Sequence, residues 1–143
     1  MEYCKYSIWR VRFAIWVKAR GMKYYQVSYD GSRERYPSLR EDLTVLLCQN
    51  CGVMRIMQPV ESTFVFATKD DVSLKTITDQ ITSAYEDAFG FVLSRIAVTT
   101  SGQLLLCAQQ KDDETPDEGF EDLVERLKTE GKISKWVSVC TFV

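Results

Sequence analysis

The residue with the clearest capacity for chemistry is Asp30. It follows the alternating stretch Lys23-Tyr-Tyr-Gln-Val-Ser-Tyr29, whose pattern predicts a strand, and it precedes Gly31, a turn signal. A carboxylate at a strand end can hold a divalent cation. One carboxylate alone is a poor Mg²⁺ site, because the ion takes one or two carboxylates together with waters and phosphate oxygens. A twofold axis beside this strand would bring in a second copy of Asp30. The bland alternative is a turn aspartate before glycine. Arg33, Arg35 and Arg55 suit bidentate contacts to phosphate, or serve as ordinary solvated charge. Tyr29 and Phe64 have rings that can stack on a base, and alternation equally makes them sheet residues packed in a core or a dimer face. Ser62 could orient a substrate or an ion, or be a plain strand serine.

Two other patterns invite chemistry and are set aside. Cys48-Gln-Asn-Cys51 has the spacing of a redox pair, but such pairs gain thiolate character at a helix N-terminus. This one falls in the last turn before Gly52, where the helix dipole disfavours an anion. Zinc would need about four ligands, and no second pair or histidine is present, so packing cysteines without zinc are expected. The acidic run 112–122 reads as a solvated loop and helix start.

Composition narrows the chemistry further. The 143 residues contain no histidine, which removes the commonest general base and every Ser-His or Cys-His nucleophile. Net charge is −2, but residues 1–21 set Lys5, Arg10, Arg12, Lys18 and Arg20 against Glu2 alone, so the rest of the chain is acidic. Five cysteines, an odd number, suit a reducing cytosol. The apolar stretch Phe13–Val17 is too short for a signal-peptide core or a membrane span. A cytoplasmic chain with no membrane partner is the expectation.

These residues need elements to position them. With 45% hydrophobic side chains, the chain is long enough for one compact domain. Residues 1–21 read as a basic N-terminal extension in which Tyr6–Lys18 alternates, as an edge strand or a surface piece. From Met22 the pattern is regular. After the first strand, Ser38 and Glu41 have capping-box spacing, with Leu39, Leu43, Leu46 and Leu47 at helical intervals and Gly52 as the stop. Val53–Met57 and Ser62–Ala67 read as strands separated by Gln58-Pro59. Ser73 opens a second helix whose Leu74, Ile77, Ile81, Ala84, Tyr85 and Ala88 form an apolar face, stopped by Gly90. Phe91–Val98 and Gln103–Ala108 are further strands, joined by a turn at Ser101-Gly102. In the extension 110–143, Thr115-Pro116 and Glu118 predict a cap. Phe120, Leu123, Val124 and Leu127 predict a third helix ending at Gly131, and Ile133–Val143 a last strand. The order from residue 22 to 109 is βαββαβ with an added strand. It predicts an α+β, ferredoxin-like sandwich with one antiparallel sheet and both core helices on one face.

Tyr25-Gln-Val-Ser-Tyr-Asp30, Gly52-Val-Met-Arg-Ile56 and Val60-Glu-Ser-Thr-Phe-Val65 resemble short motifs of one superfamily. It comprises the CRISPR-associated adaptation nucleases (the second Cas family) and their VapD and SinR-like relatives. The resemblance runs from Met22 to Ala108, and the chain is longer than the family core at both ends. It implies a homodimeric, metal-dependent endoribonuclease with Asp30 and Ser62 as catalytic residues and Asp30 as ligand to Mg²⁺ or Mn²⁺. Arg33 and Arg35 are similar to the basic residues that follow the aspartate in ribonuclease members. With Tyr29, Arg55 and Phe64 they would contact RNA, or DNA, in a toxin or phage-defence setting. Because the superfamily also holds members that act only as dimeric scaffolds, the alternative is a non-catalytic adaptor in a nucleic-acid complex. A ligand-binding regulatory domain of the same fold is a third reading, with no pocket motif to carry it.

Overall fold

A computed structural model describes residues 22–30, 37–69, 71–97 and 118–139, and the backbone of 11–16 and 103–108. The elements are β1 (Val11–Trp16), β2 (Met22–Asp30), α1 (Leu39–Asn50), β3 (Val53–Val60), β4 (Thr63–Lys69), α2 (Leu74–Tyr85), β5 (Gly90–Ile96), β6 (Gln103–Ala108), α3 (Phe120–Thr129) and β7 (Ser138–Val139). Five strands form a mixed sheet in the order β5-β2-β4-β3-β7. All its pairings are antiparallel except that of β7 with β3, which is parallel.

Alternation along the strands sends two sets of side chains to opposite faces. Tyr25, Val27 and Tyr29 of β2, with Ile56 of β3 and Phe64 and Phe66 of β4, join one core cluster. The helices close over it with Leu39, Leu43 and Leu47 of α1, Ile77 and Ile81 of α2, and Leu123, Val124 and Leu127 of α3. Each fully buried aliphatic side chain of this kind contributes about 1.5–3 kcal/mol. On the alternate positions Tyr24, Met57, Val65 and Ala67 are buried too, so the middle of the sheet is closed on both faces.

Several boundaries follow the local signals. Ser73 caps α2, its hydroxyl oxygen accepting the Thr76 N–H at 3.1 Å. α3 ends as its glycine predicts: Gly131 has φ +73°, its N–H bonds the Lys128 carbonyl, and Lys132 N–H bonds the Leu127 carbonyl. That double bond pattern satisfies two otherwise orphaned carbonyls.

Others differ. The capping box of α1 does not form. The Ser38 hydroxyl donates to the Asp42 carboxylate at 2.9 Å, and Glu41 instead pairs with Arg126 of α3 at 2.7 Å. β3 runs on through Gln58-Pro59, expected as a connection, and reaches Val60. The pairing with β4 is irregular between Met57 and Val60, because proline has no N–H to give the ladder and a bulge absorbs it. The turn is therefore Glu61-Ser62, and Ser62 is a turn residue rather than a strand residue. The described part of the last strand is only the two residues of β7. β6 is not a fifth strand of the main sheet. It pairs antiparallel with β1, Val11 opposite Ala108 and Trp16 opposite Gln103. Strand residues of the expected N-terminal extension and of the expected core thus form one ribbon. The expected Thr115-Pro116 cap lies outside the described residues, and α3 begins after Gly119.

α2 ends at Tyr85, five residues before Gly90. Its cap, Glu86, has φ 52° and ψ −119°, a left-handed conformation that side chains with a Cβ resist. Its backbone N–H bonds the Thr82 carbonyl at 2.7 Å, while the Glu86 side chain is exposed and has no hydrogen-bond or ion-pair partner among the described residues. Relief of the strain exceeds the extra chain entropy that glycine brings. Glu86→Gly should therefore raise stability by about 1 kcal/mol, a rise of about 3–5 °C in Tm for a chain of this size. A thermal melt that moves the other way would show that the conformation carries no strain.

Candidate active site

β2 ends at Asp30, which lies opposite Gly90, the first residue of β5. The Asp30 side chain is exposed and has no hydrogen-bond or ion-pair partner among the described residues. On the other side of β2, the Tyr29 N–H donates to the Ser62 carbonyl at 3.0 Å, and the Tyr29 hydroxyl donates to the Glu61 carbonyl at 2.9 Å. The Glu61-Ser62 turn is thereby fastened beside the end of β2, and Ser62 is exposed there. Ser28 and Thr63 share a hydroxyl–hydroxyl bond of 3.0 Å one step inside it. Asp30 and Ser62 thus lie at one end of the sheet.

Glu61 shares that end and was not singled out by sequence reasoning. It is a second carboxylate residue in the same turn as Ser62. Its position depends on the register of β4 against β2, which no local pattern reveals.

The aromatic pair is placed otherwise. Phe64 is 0% and Tyr29 9% exposed. Their rings stack on each other at 5.8 Å, with Phe89 edge-on to Tyr29 at 6.1 Å and Phe120 tilted against Phe64 at 5.7 Å. The ring faces are used within the core, so the expected base contact is corrected for Phe64, which has no surface to offer. It is corrected for Tyr29 too, whose hydroxyl is spent on the turn. Arg55 is also separated from the site. It sits in the row Arg55–Ala67–Tyr24, six residues along β2 from Asp30, which is about 20 Å at the usual rise of a strand. Half-buried, it reaches the Tyr24 hydroxyl at 3.4 Å. Arg33 and Arg35 lie outside the described residues.

Among the described residues no group of three or more His, Cys, Asp or Glu side chains is gathered to hold a metal. The exposed Asp30 carboxylate, without a described partner, has the oxygen chemistry a hard divalent cation takes.

Cys48 and Cys51 are free thiols at the end of α1, Cys51 within the core cluster and Cys48 packed against it. Burial, and then the neighbouring Cys51 charge, push the Cys48 thiol up to about 12, with Lys128 opposing. Burial alone pushes Cys51 up to about 11. The folded chain thus holds both protons above the ordinary value of 9.0, while the unfolded chain releases them. Unfolding sheds protons there, so stability should be level below about pH 9 and fall as pH rises through the range from the unfolded to the folded value. Peptide-resolved alkylation at pH 8 should leave both cysteines unmodified in the native state. Rapid native labelling would contradict their protonation.

No family model, no curated protein and no solved structure matches the chain. No described helix is long and apolar enough to cross a membrane.

Proposed function

We propose that the chain is a metal-dependent endoribonuclease that acts as a homodimer on a ferredoxin-like scaffold. The scaffold reading is supported by the sheet order. Strands β2, β3, β4 and β5 alternate with α1 and α2 as βαββαβ and lie in the order β5-β2-β4-β3, the arrangement of a split βαβ unit. The observation that carries the functional reading is the uncommitted Asp30 carboxylate at the end of β2, beside the exposed hydroxyl residue Ser62.

In this reading Asp30 and its copy across a twofold hold the cation, Mg²⁺ or Mn²⁺. The ion would neutralise phosphate charge and make a coordinated water more acidic. The Ser62 hydroxyl orients a phosphate oxygen, and Arg33 and Arg35, which follow Asp30 in the chain, offset backbone charge. The basic residues must act locally, since a chain of net charge −2 does not steer RNA as a whole.

The test is incubation of single-stranded RNA with the full chain in Mg²⁺ or Mn²⁺, with chelator and Asp30→Asn as controls. Sedimentation reports the assembly. Cleavage that needs the ion is expected from a dimer, with no titration step of the kind histidine imposes near neutrality. The second reading, a dimeric scaffold within a nucleic-acid complex, is favoured by the remoteness of Arg55 and the burial of Phe64, which leave the site with few contacts for RNA. A stable dimer that cleaves no RNA would put that reading first.

A further inference from the structure

At the edge of the sheet farthest from β5, β7 pairs with β3 through Arg55–Ser138 and Ile56–Val139. Among the described strands it has no neighbour on its other side. α3 runs alongside, and its Glu121, Glu125 and Lys128 are spaced i, i+4 and i+7, so they share one helical face. Between this face and β7 lies an open groove of about 380 Å³. Val137 and Trp136 line it as well, and Trp136 is 73% exposed, the most exposed of the large apolar residues described.

The shape and the unpaired edge are those of strand addition, in which an extended peptide bonds an edge strand by its main chain and points alternate side chains at the neighbouring wall. That wall is acidic. Glu121 is exposed and has no partner among the described residues. Glu125 is exposed and holds Lys128 at 3.3 Å, and the Lys128 side chain is only 19% exposed. The other groove cation, Lys135, lies over the Trp136 ring, 5.1 Å from its centre. One ring face is therefore occupied, and the exposure of the residue leaves the other for a second cation. We infer that this groove receives an extended peptide segment by strand addition to β7, with lysine or arginine side chains directed at Glu121 and Glu125 and one cation or apolar side chain on Trp136. The surface lies on the β3–β7 side and at the Arg55 end, away from Asp30, so it stands whether or not that site is catalytic.

The experiment pans a display library of random nonapeptides against the full chain. It then measures affinities of the selected peptides for the parent, Trp136→Ala and Glu121→Gln/Glu125→Gln. Amide shifts in the labelled chain locate the site, and circular dichroism confirms that the variants fold. Peptides rich in lysine or arginine should be selected and should shift the amides of 136–139. Their affinity should fall about tenfold in either variant, and again when alternate main-chain amides of the peptide are N-methylated. The proposal is overturned if no peptide is enriched, if acidic peptides are selected, or if binding ignores Trp136 or N-methylation. It is overturned equally if the 136–139 amides shift with protein concentration alone, which would make a second copy the occupant.

Discussion

Phe64→Ala should lower the stability of the chain by about 3–5 kcal/mol, read as the shift in urea midpoint at unchanged slope. Phe64, the second residue of β4, is 0% exposed and lies opposite Val27 of β2. Its ring lies 5.8 Å from that of Tyr29 and 5.7 Å from that of Phe120, the first residue of α3. Truncation removes the ring from water-free surroundings and opens a cavity between the sheet and α3 that a rigid strand cannot collapse into. The ring–ring contacts add about 0.5–1.5 kcal/mol per pair beyond area. Since a domain of this kind is stable by only about 5–15 kcal/mol, much of the variant could be unfolded at 37 °C. Phe64→Leu keeps most of the volume and should cost less than half as much. A loss under about 1 kcal/mol for Phe64→Ala, with RNA binding reduced instead, would restore the base-stacking role that the burial of the ring argues against.

What was legible in the chain was whatever local spacing decides. The strand-forming alternation of Lys23–Tyr29 became β2, the leucines at 39, 43 and 47 became the buried stripe of α1, and Gly131 ended α3 in a left-handed conformation. What was not legible depended on partners distant in sequence. The amphipathic pattern at Phe120–Leu127 announces a helix, but only the sheet shows that Leu123, Val124 and Leu127 enter the same core as α1 and α2. Glu41 matched a capping box and was drawn instead to Arg126. That arginine also holds Glu118 through two bonds of 3.0 Å and Glu130 through one of 2.9 Å. Its bonds lower the carboxyls of Glu118 and Glu130 below their ordinary range. Gln103–Ala108 had every mark of a strand, while its pairing with β1 rather than the main sheet has no local signature. The same holds for the site. Asp30 was visible as a strand-end carboxylate, yet its neighbourhood with Ser62 and Glu61, and its separation from Arg55, are set by the register of β4 and β3.

Asp30→Asn carries the other large expectation. The Asp30 side chain is exposed and bonds nothing described, so the amide fits the same space without leaving a buried group unsatisfied, and folding should be nearly indifferent to it. Its charge is another matter. Asparagine keeps one carbonyl oxygen but loses the anion that a hard divalent cation requires, and across a twofold the change removes both carboxylates at once. The loss of rate should be about a hundredfold or more, the scale on which removing one charged catalytic group acts. Ser62→Ala, which leaves the carboxylates in place, should lose less. The most direct measurement is the rate of Mg²⁺-dependent cleavage of single-stranded RNA by Asp30→Asn relative to the parent, at equal dimer concentration and with the melting temperature of each recorded. Cleavage lost at least a hundredfold with a melting temperature within about 2 °C is the predicted result, a shift of under about 1 kcal/mol in a chain of this length. A variant that cleaves as fast as the parent would contradict the assignment of Asp30.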